Sequence, residues 1–347
     1  MVAVFSLGGY CGLSTSISAP VFSANRKELP PPMMTPYRNL KYAIAAIALL
    51  LSISIGDAPC KAEDNWAEAA SQFAKDVLKE EYKKTAPPSA APVFRWDFSK
   101  ANVVHAYEFT QEMRSSTSTS LVADSNSLVE EGMVKGIILV KGQGDSTAEL
   151  VLKDVKMQIK AVIGASDPVI VEQQMPVSVL AGMKEDGSGP FENYYQDNLV
   201  KMPRLLFPLP FKALNIGESL DVPAQIPFNA NGTMLPVKGN SRVTLVQYVD
   251  IGGRTCAQFN VDSDISNLKV PADLEGDYKC ETKVISVFYF DVASRSLVSG
   301  TVAILMQSSI VAPMTQIDKP GKDASGTPHR AQWSMRSGNL IRVKLKE

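Results

Sequence analysis

The stretch Arg242-Val-Thr-Leu-Val-Gln-Tyr-Val-Asp250, Ile251-Gly-Gly-Arg254, Thr255-Cys-Ala-Gln-Phe-Asn-Val-Asp-Ser-Asp264 reads as two β-strands around a glycine turn. Thr255, Ala257, Phe259 and Val261 alternate onto one face. Cys256, Gln258 and Asn260 fall on the other, polar face. A period of two, and not the 3.6 of a helix, is the repeat that governs the chain downstream of residue 92.

Working outward, Lys283–Val292 and Ser299–Met306 are strongly apolar strands around a turn near Ala293-Ser-Arg295. Ile310 to Thr327 reads as a loop. Gln332–Arg336 and Leu340–Leu345 read as a closing hairpin around Ser337-Gly-Asn339. Upstream, His105, Tyr107, Phe109 and Met113 share a strand face, with Glu108, Thr110 and Glu112 opposite. Ser115 to Ser127 reads as a Ser/Thr-rich loop or hairpin end, and Met133–Val140 as a strand. Ala148, Leu150 and Leu152 alternate, but Val155, Met157 and Ile159 follow on the other parity, so a bulge or sharp bend is expected at Lys153-Asp154. Pro176 interrupts a strand in Val169–Leu180, and Lys184–Pro190 is a turn. Pro203 to Pro236 is too rich in proline for a central strand.

The expected fold is therefore mainly β. It is a curved antiparallel sheet, half-barrel or barrel-like, in a first half over 93–200 and a second over 241–347, with a proline-rich connection over 201–240. The halves repeat one motif weakly: Lys135-Gly136 and Lys238-Gly239 each open a strand that a glycine turn and a second strand follow. Two unrelated hairpins would give the same spacing.

Residues 63–92 differ. Trp66, Ala69, Ala70, Phe73, Val77, Leu78 and Tyr82 form one apolar stripe at helical spacing, capped by Asp64 or Asn65 and ended by Lys79, Lys83 and Lys84. An amphipathic helix packed on the main domain is expected, followed by the linker Thr85–Pro92. Before it, residues 33–62 have a short basic head with Arg38 and Lys41, the apolar run Tyr42–Ile55, and the breaker Gly56-Asp-Ala-Pro-Cys60-Lys-Ala62. That is the layout of a secretory signal peptide, and the run is short of the roughly 20 residues of a membrane span. Residues 1–32, Ser/Gly/Pro-rich with Glu28 as the one acid, read as an extension ahead of a true start at Met33 or Met34. The expected location is periplasmic or secreted. Lipid attachment at Cys60 is disfavoured, because Asp57 and Pro59 stand where a lipobox wants a leucine-like and a small residue.

Of 347 residues, 35 are basic and 36 acidic, a formal net charge of −1. Residues 1–62 hold five of the bases and two of the acids, so the remaining 285 carry −4. That balance argues against a nucleic-acid partner, which needs a basic field, and no polybasic membrane patch appears. After residue 62 no apolar stretch reaches the length of a membrane helix.

Two of the four cysteines, Cys256 and Cys280, lie beyond the leader, and in an exported chain they are expected to pair. The loop of about 25 residues would contribute roughly 3 kcal/mol in the chain-entropy view. Two unpaired thiols are the alternative.

The chemistry-bearing residues assemble no recognisable catalytic set. His105 lies on an apolar face and reads as a hydrogen-bonded core histidine; His329 sits in a polar loop. Two distant histidines and two cysteines make no metal spacing. Glu130 and Glu131 point to opposite faces of a strand, and Asp262 with Asp264 lacks a third ligand. No nucleophile elbow, phosphate loop or HExxH occurs, so no cofactor or metal is expected and a non-enzymatic protein is the reading. The remaining clue is apolar: Leu205, Leu206, Phe207, Leu209 and Phe211, punctuated by proline, either cap the sheet core or rim a ligand cleft.

Phe207-Pro-Leu-Pro, Leu214-Asn-Ile-Gly-Glu-Ser-Leu220 and Asp250-Ile-Gly-Gly-Arg-Thr-Cys-Ala257 together resemble a pattern of uncharacterised exported bacterial β-rich proteins. These are broadly similar to the half-barrels of periplasmic lipoprotein carriers. The resemblance spans roughly residues 93–310, implies a curved antiparallel sheet, and implies no reaction. Two functions follow as expectations: binding of a hydrophobic ligand or envelope component, or a structural or assembly role through exposed apolar surface.

Overall fold

The structure, a computed structural model, describes residues 82–119, 128–164, 166–189, 202–230, 233–313 and 330–346, with Gln72, Lys75 and Val77. All belong to the unit Ala58–Glu347. The extension 1–32, the leader 33–62 and most of the 63–84 helix lie outside the described residues.

Among the described residues twelve antiparallel strands form one sheet. In chain order they are β1 (Lys83–Lys84), β2 (Val104–Thr119), β3 (Leu128–Gly142), β4 (Thr147–Ile163), β5 (Val169–Gln174), β6 (Ser178–Lys184), β7 (Ser219–Ala230), β8 (Thr233–Ile251), β9 (Arg254–Leu268), β10 (Asp277–Asp291), β11 (Ser296–Pro313) and β12 (Arg330–Leu345). Met202–Leu206 form a single π-helical turn. The lateral order is β8-β9-β10-β11-β12-β2-β3-β4; β7 and β1 line the free side of β8, and β5 and β6 that of β4. The sheet is open, and its two meanders meet where β12 pairs with β2, from Trp333↔Thr119 to Leu345↔Tyr107.

Several local expectations hold. Asp250 pairs with Thr255 and Ile251 with Arg254 across the Gly252-Gly253 turn. The parity change in β4 is a bulge: Asp154 and Val155 together face Gly136, and Asp154 takes φ 56°. Pro176 ends β5, so the chain shifts from pairing at β4 residues 156–161 to pairing at 147–152.

Others are corrected. No turn occurs at Ser337-Gly338-Asn339; β12 runs straight through. Ser337 and Asn339 are polar because of what they face inside, not because the chain reverses there; both are 1 % exposed. Ser115–Thr119 likewise extends β2 and is not loop. The proline-rich segment 201–240 is only partly a connection, since β7 and the start of β8 lie in it. The prolines are tolerated by position. Pro227 faces Pro236, so that pair exchanges no hydrogen bond, and Pro223 has the same parity on the edge strand β7. Pro236 precedes the first β8–β9 pair, Val237↔Leu268.

One face of the sheet, the inner face, carries the large core. Tyr107, Phe109, Ile138, Leu150, Phe259, Phe288 and Val343 all point there and belong to one apolar cluster. Residues Phe94–Phe98 lie on it as a strap. Trp96 N–H donates to the Glu185 carbonyl at 2.9 Å, and Gly144 N–H donates to the Phe98 carbonyl at 3.1 Å. Phe94 meets Phe259 edge-on at 4.8 Å, and Trp96 meets Phe290 edge-on at 6.0 Å. The outer face is largely ion-paired and solvated, as in Lys283–Asp262 and Arg242–Asp221. A smaller apolar patch there, with Val249, Val287, Tyr289 and Leu340, packs Val77 and Tyr82. Tyr82 meets the Tyr289 ring edge-on at 4.7 Å.

Gly300 sits beneath Phe207; a Cβ there would lie 2.3 Å from Phe207 Cε1. Gly300→Ala is expected to cost about 2 kcal/mol by overpacking. In denaturant melts Phe207→Leu in the same chain should recover most of that loss. A strictly additive double variant would show that the ring does not rest on this glycine.

Candidate functional site

The inner face has two zones along the strands. The first, toward the Ile251–Arg254 and Val292–Arg295 turns, is filled. Leu205, Leu206, Phe207 and Leu209 lie there at 0–7 % exposure, and the Phe207 ring packs on Phe288 at 5.6 Å. Of the five apolar residues expected either to cap the sheet core or to rim a cleft, only Phe211 is exposed, at 47 %, with φ 56°. The proline punctuation does keep these side chains out of any strand, as expected. They are used as core filler for the sheet, held by Phe211 N–H donating to the Phe94 carbonyl at 3.1 Å. The π-turn that delivers them is anchored by Arg204, which bonds the Asp186 carboxylate in the 184–188 turn. Burial pushes Asp186 upward, but the Ser188 hydroxyl and N–H and the Arg204 charge outweigh it and hold that carboxyl below the ordinary range.

The second zone lies farther along the same face and is built differently. Ser286 stands across from Val302, and Gln111 across from Ile341. In the next row Ser263, Val284, Ile304, Asn339 and Met113 are successive cross-strand neighbours. The row after holds Thr282, Met306, Ser337, Ser115 and Glu130. The next holds Cys280, Ser308, Met335 and Thr117, and Tyr278, Ile310, Trp333 and Thr119 follow it. Hydroxyls and sulfurs thus alternate across β10, β11 and β12 in the Thr282 and Cys280 rows, and β2 adds the hydroxyls of Ser115 and Thr117. Gln111 Nε2 donates to Asn339 Oδ1 at 3.0 Å, and Ser263 donates to Ser241 at 2.7 Å. Seven described side chains have a buried polar atom without a partner, and four of them lie in this zone: Thr117, Thr282, Ser286 and Ser337. Met113, Met306, Met157, Ile310 and Trp333 are only partly buried, so the zone is the less tightly covered end of the core. Gly132 gives Met113 its room, since a Cβ there would meet Met113 Cε at 2.5 Å.

Alternation along β2, β3 and β8–β12 places two carboxylates on the inner-face parity among the described residues: Asp250, exposed beside the Gly252-Gly253 turn, and Glu130, the one in the second zone, which accepts from Ser115 Oγ at 3.1 Å. The sequence hides this zone because Ser115, Thr117, Ser337 and Asn339 are residue types that favour loops and turns. The usable signal was Ser115, Thr117, Ser337 and Asn339 at strand period two, on the parity of Phe109 and Ile341.

The disulfide expected between Cys256 and Cys280 is not formed; both thiols are free and buried. Cys256 lies in the outer-face patch and faces Asp291, while Cys280 is on the inner face eleven residues earlier on β10. That is about 36 Å of strand, far beyond the Cα separation of under 7 Å that a disulfide spans. Burial pushes Cys256 up to about 12 and Cys280 up to about 11, so neither is a ready nucleophile. Among the described residues no group of three or more His, Cys, Asp and Glu is placed to hold a metal ion, and no helix is long and apolar enough to cross a membrane.

No protein-family model matches the chain, and no curated protein does. Among solved structures it is similar to Pseudomonas aeruginosa OccK7 (OpdD), at 6% identity and TM-score 0.22, covering 70% of this chain and 98% of that one. The secretin-domain β-barrel of Salmonella InvG gives 11%, 0.15, 72% and 63%. A DUF1329 family protein from Desulfovibrio piger gives 9%, 0.12, 81% and 93%.

His105 is half-buried at the filled end. Its pKa is lowered, first by burial and then by the Arg254 charge, with Asp291 opposing. Above the unfolded value of 6.5 neither state holds the proton and the group has no effect. As pH falls below 6.5 the unfolded chain takes the proton first, so stability declines until the folded pKa is passed. Chemical denaturation at pH 7.5 and 5.0 should show that decline, and His105→Gln should flatten it. An unchanged slope in the variant would exclude His105 as its source.

Proposed function

We propose that the protein is an exported, non-enzymatic β protein that binds a hydrophobic ligand against the inner face of a sheet curved into a half-barrel. The observation that carries this reading is the second zone: a row-by-row alternation of methionine and hydroxyl side chains, partly uncovered, on the face that elsewhere is packed solid. Methionine is suited to such a surface because its unbranched, polarisable chain adapts to many shapes. Curvature is supported by the bulges at Asp154 in β4, at Lys238/Gly239 and at Leu245/Gln247, and by a single apolar cluster reaching from β7 to β4. Export to the periplasm or the exterior rests on the signal layout of residues 33–62.

A second reading is favoured by the sheet edge. Every residue of β5 is exposed, and Ile170, Val177 and Val179 are 62, 63 and 57 % exposed. An uncovered edge with apolar side chains is a template for strand addition by a protein partner, although Pro168 and Pro176 flank it and blunt its length.

The two readings separate on purification from the native host. Organic extraction followed by mass spectrometry should return one amphiphile class at near-equimolar amount if the face carries ligand. An extract without lipid, together with a stoichiometric protein partner, would overturn the ligand reading in favour of the edge.

A further inference from the structure

Building on the ligand-binding reading, we infer that the ligand is an uncharged amphiphile. Its hydrogen-bonding group, an ester, amide or hydroxyl, meets the band formed by Ser286, Thr282, Ser337 and Thr117. Its hydrocarbon lies against Met113, Met306 and Trp333.

Three observations converge. The first is the unspent hydrogen bonding. Ser286, Ser337 and Thr117 have buried hydroxyls with no partner, and Thr282 has only the thiol of Cys280 near it, a weak acceptor. Ser286 and Ser337 are each 1 % exposed and Thr282 4 %. A buried polar atom left unpaired is costly, so this concentration of them within a few cross-strand rows is an anomaly that a ligand group would resolve.

The second is charge. No Arg or Lys of β2, β3 or β8–β12 has the inner-face parity, and Lys83 of β1, which shares it, pairs with Asp250 at the filled end, so nothing in the band would hold a carboxylate or phosphate head. Glu130, at the edge of the band, repels one. A cationic head would have to leave water for a band whose one carboxylate is already bonded by Ser115. A neutral head pays neither cost, and hydroxyls serve it equally as donors or acceptors.

The third is order along the strands. The aromatic strap and Phe207 fill the face up to the Phe259–Phe288–Gly300 row, and Ser286 lies two residues beyond Phe288 on β10. The hydroxyl rows therefore begin beyond the packed aromatics and end before the row of the partly buried Ile310 and Trp333, with Met306 set between Thr282 and Ser337. A ligand seated there meets hydroxyls interleaved with the Met306 sulfur along its inward part and the Trp333 indole at its outward end.

The test uses the full chain after removal of co-purified lipid. Three probes of one chain length, 1-monodecanoylglycerol, decanoate and decylamine, are titrated calorimetrically below their micelle concentrations. The neutral glyceride should bind at least tenfold more tightly than decanoate and several-fold more tightly than decylamine. Ser337→Ala and Thr282→Val should each weaken the glyceride about fivefold while leaving the melting temperature of the ligand-free protein unchanged or raised, because each removes an unsatisfied hydroxyl. A purely structural role would instead lower the melting temperature and leave affinity alone, which overturns the inference. Equal binding of all three probes, or tighter binding of a charged one, also overturns it while the ligand-binding reading stands. Binding of none of them overturns both.

Discussion

The pairing of β12 with β2 is the constraint on which the architecture depends. It runs for 13 residue pairs and joins segments more than 200 residues apart in the chain. Without it the β2–β4 meander and the β7–β12 meander would each present an unpaired edge and half a hydrophobic face. With it, one inner face extends without interruption from β7 to β4, and the Phe94–Phe98 strap has a surface wide enough to cross. Arg342–Glu112 at 2.6 Å and Lys346–Glu108 at 3.1 Å bridge the seam on its solvated side. These are exposed pairs worth little individually. The seam is held chiefly by its backbone ladder and by Val343, Ile341 and Phe109 beneath it.

The same seam sets the site. Gln111 on β2 and Asn339 on β12 bond each other across it, and Ser115–Ser337 and Thr117–Met335 continue the contact toward the partly covered end. The two zones of the inner face thus differ in what they are for. Around Phe207, Phe259 and Phe288 the rings interlock and Gly300 is reduced to a bare Cα to admit one of them, a pattern that maximises packing. Around Ser286 and Ser337 polar atoms are buried unpaired, at a cost of about 1–3 kcal/mol for each such group. A fold selected for stability alone would have placed valine or alanine there.

Local features of the fold were legible in the sequence wherever a feature is short-range. The β8–β9 hairpin announces itself through Gly252-Gly253, and the β4 bulge through the parity slip at Lys153-Asp154. The interruption at Pro176 separates β5 from β6 as read. The seam was not legible, because nothing local to Phe109 or Val343 specifies a partner so far away. The polar zone was misread for a physical reason: Ser, Thr, Asn and Gly favour turns, and the same residues inside a sheet look identical until the partner strands are known. Cys256 and Cys280 illustrate the reverse error. Export suggested a disulfide, whereas alternation along β9 and β10 sends the two thiols to opposite faces.

Native-state hydrogen exchange resolved by residue tests the one-sheet account most directly. The account predicts that amides of β2 (107–117) and β12 (335–345) are protected as strongly as those of β8–β10, and that all exchange together through one global opening. Strong protection confined to 233–313, with rapid exchange over 107–117, would contradict it: the halves would then be separate units and the shared inner face would not exist.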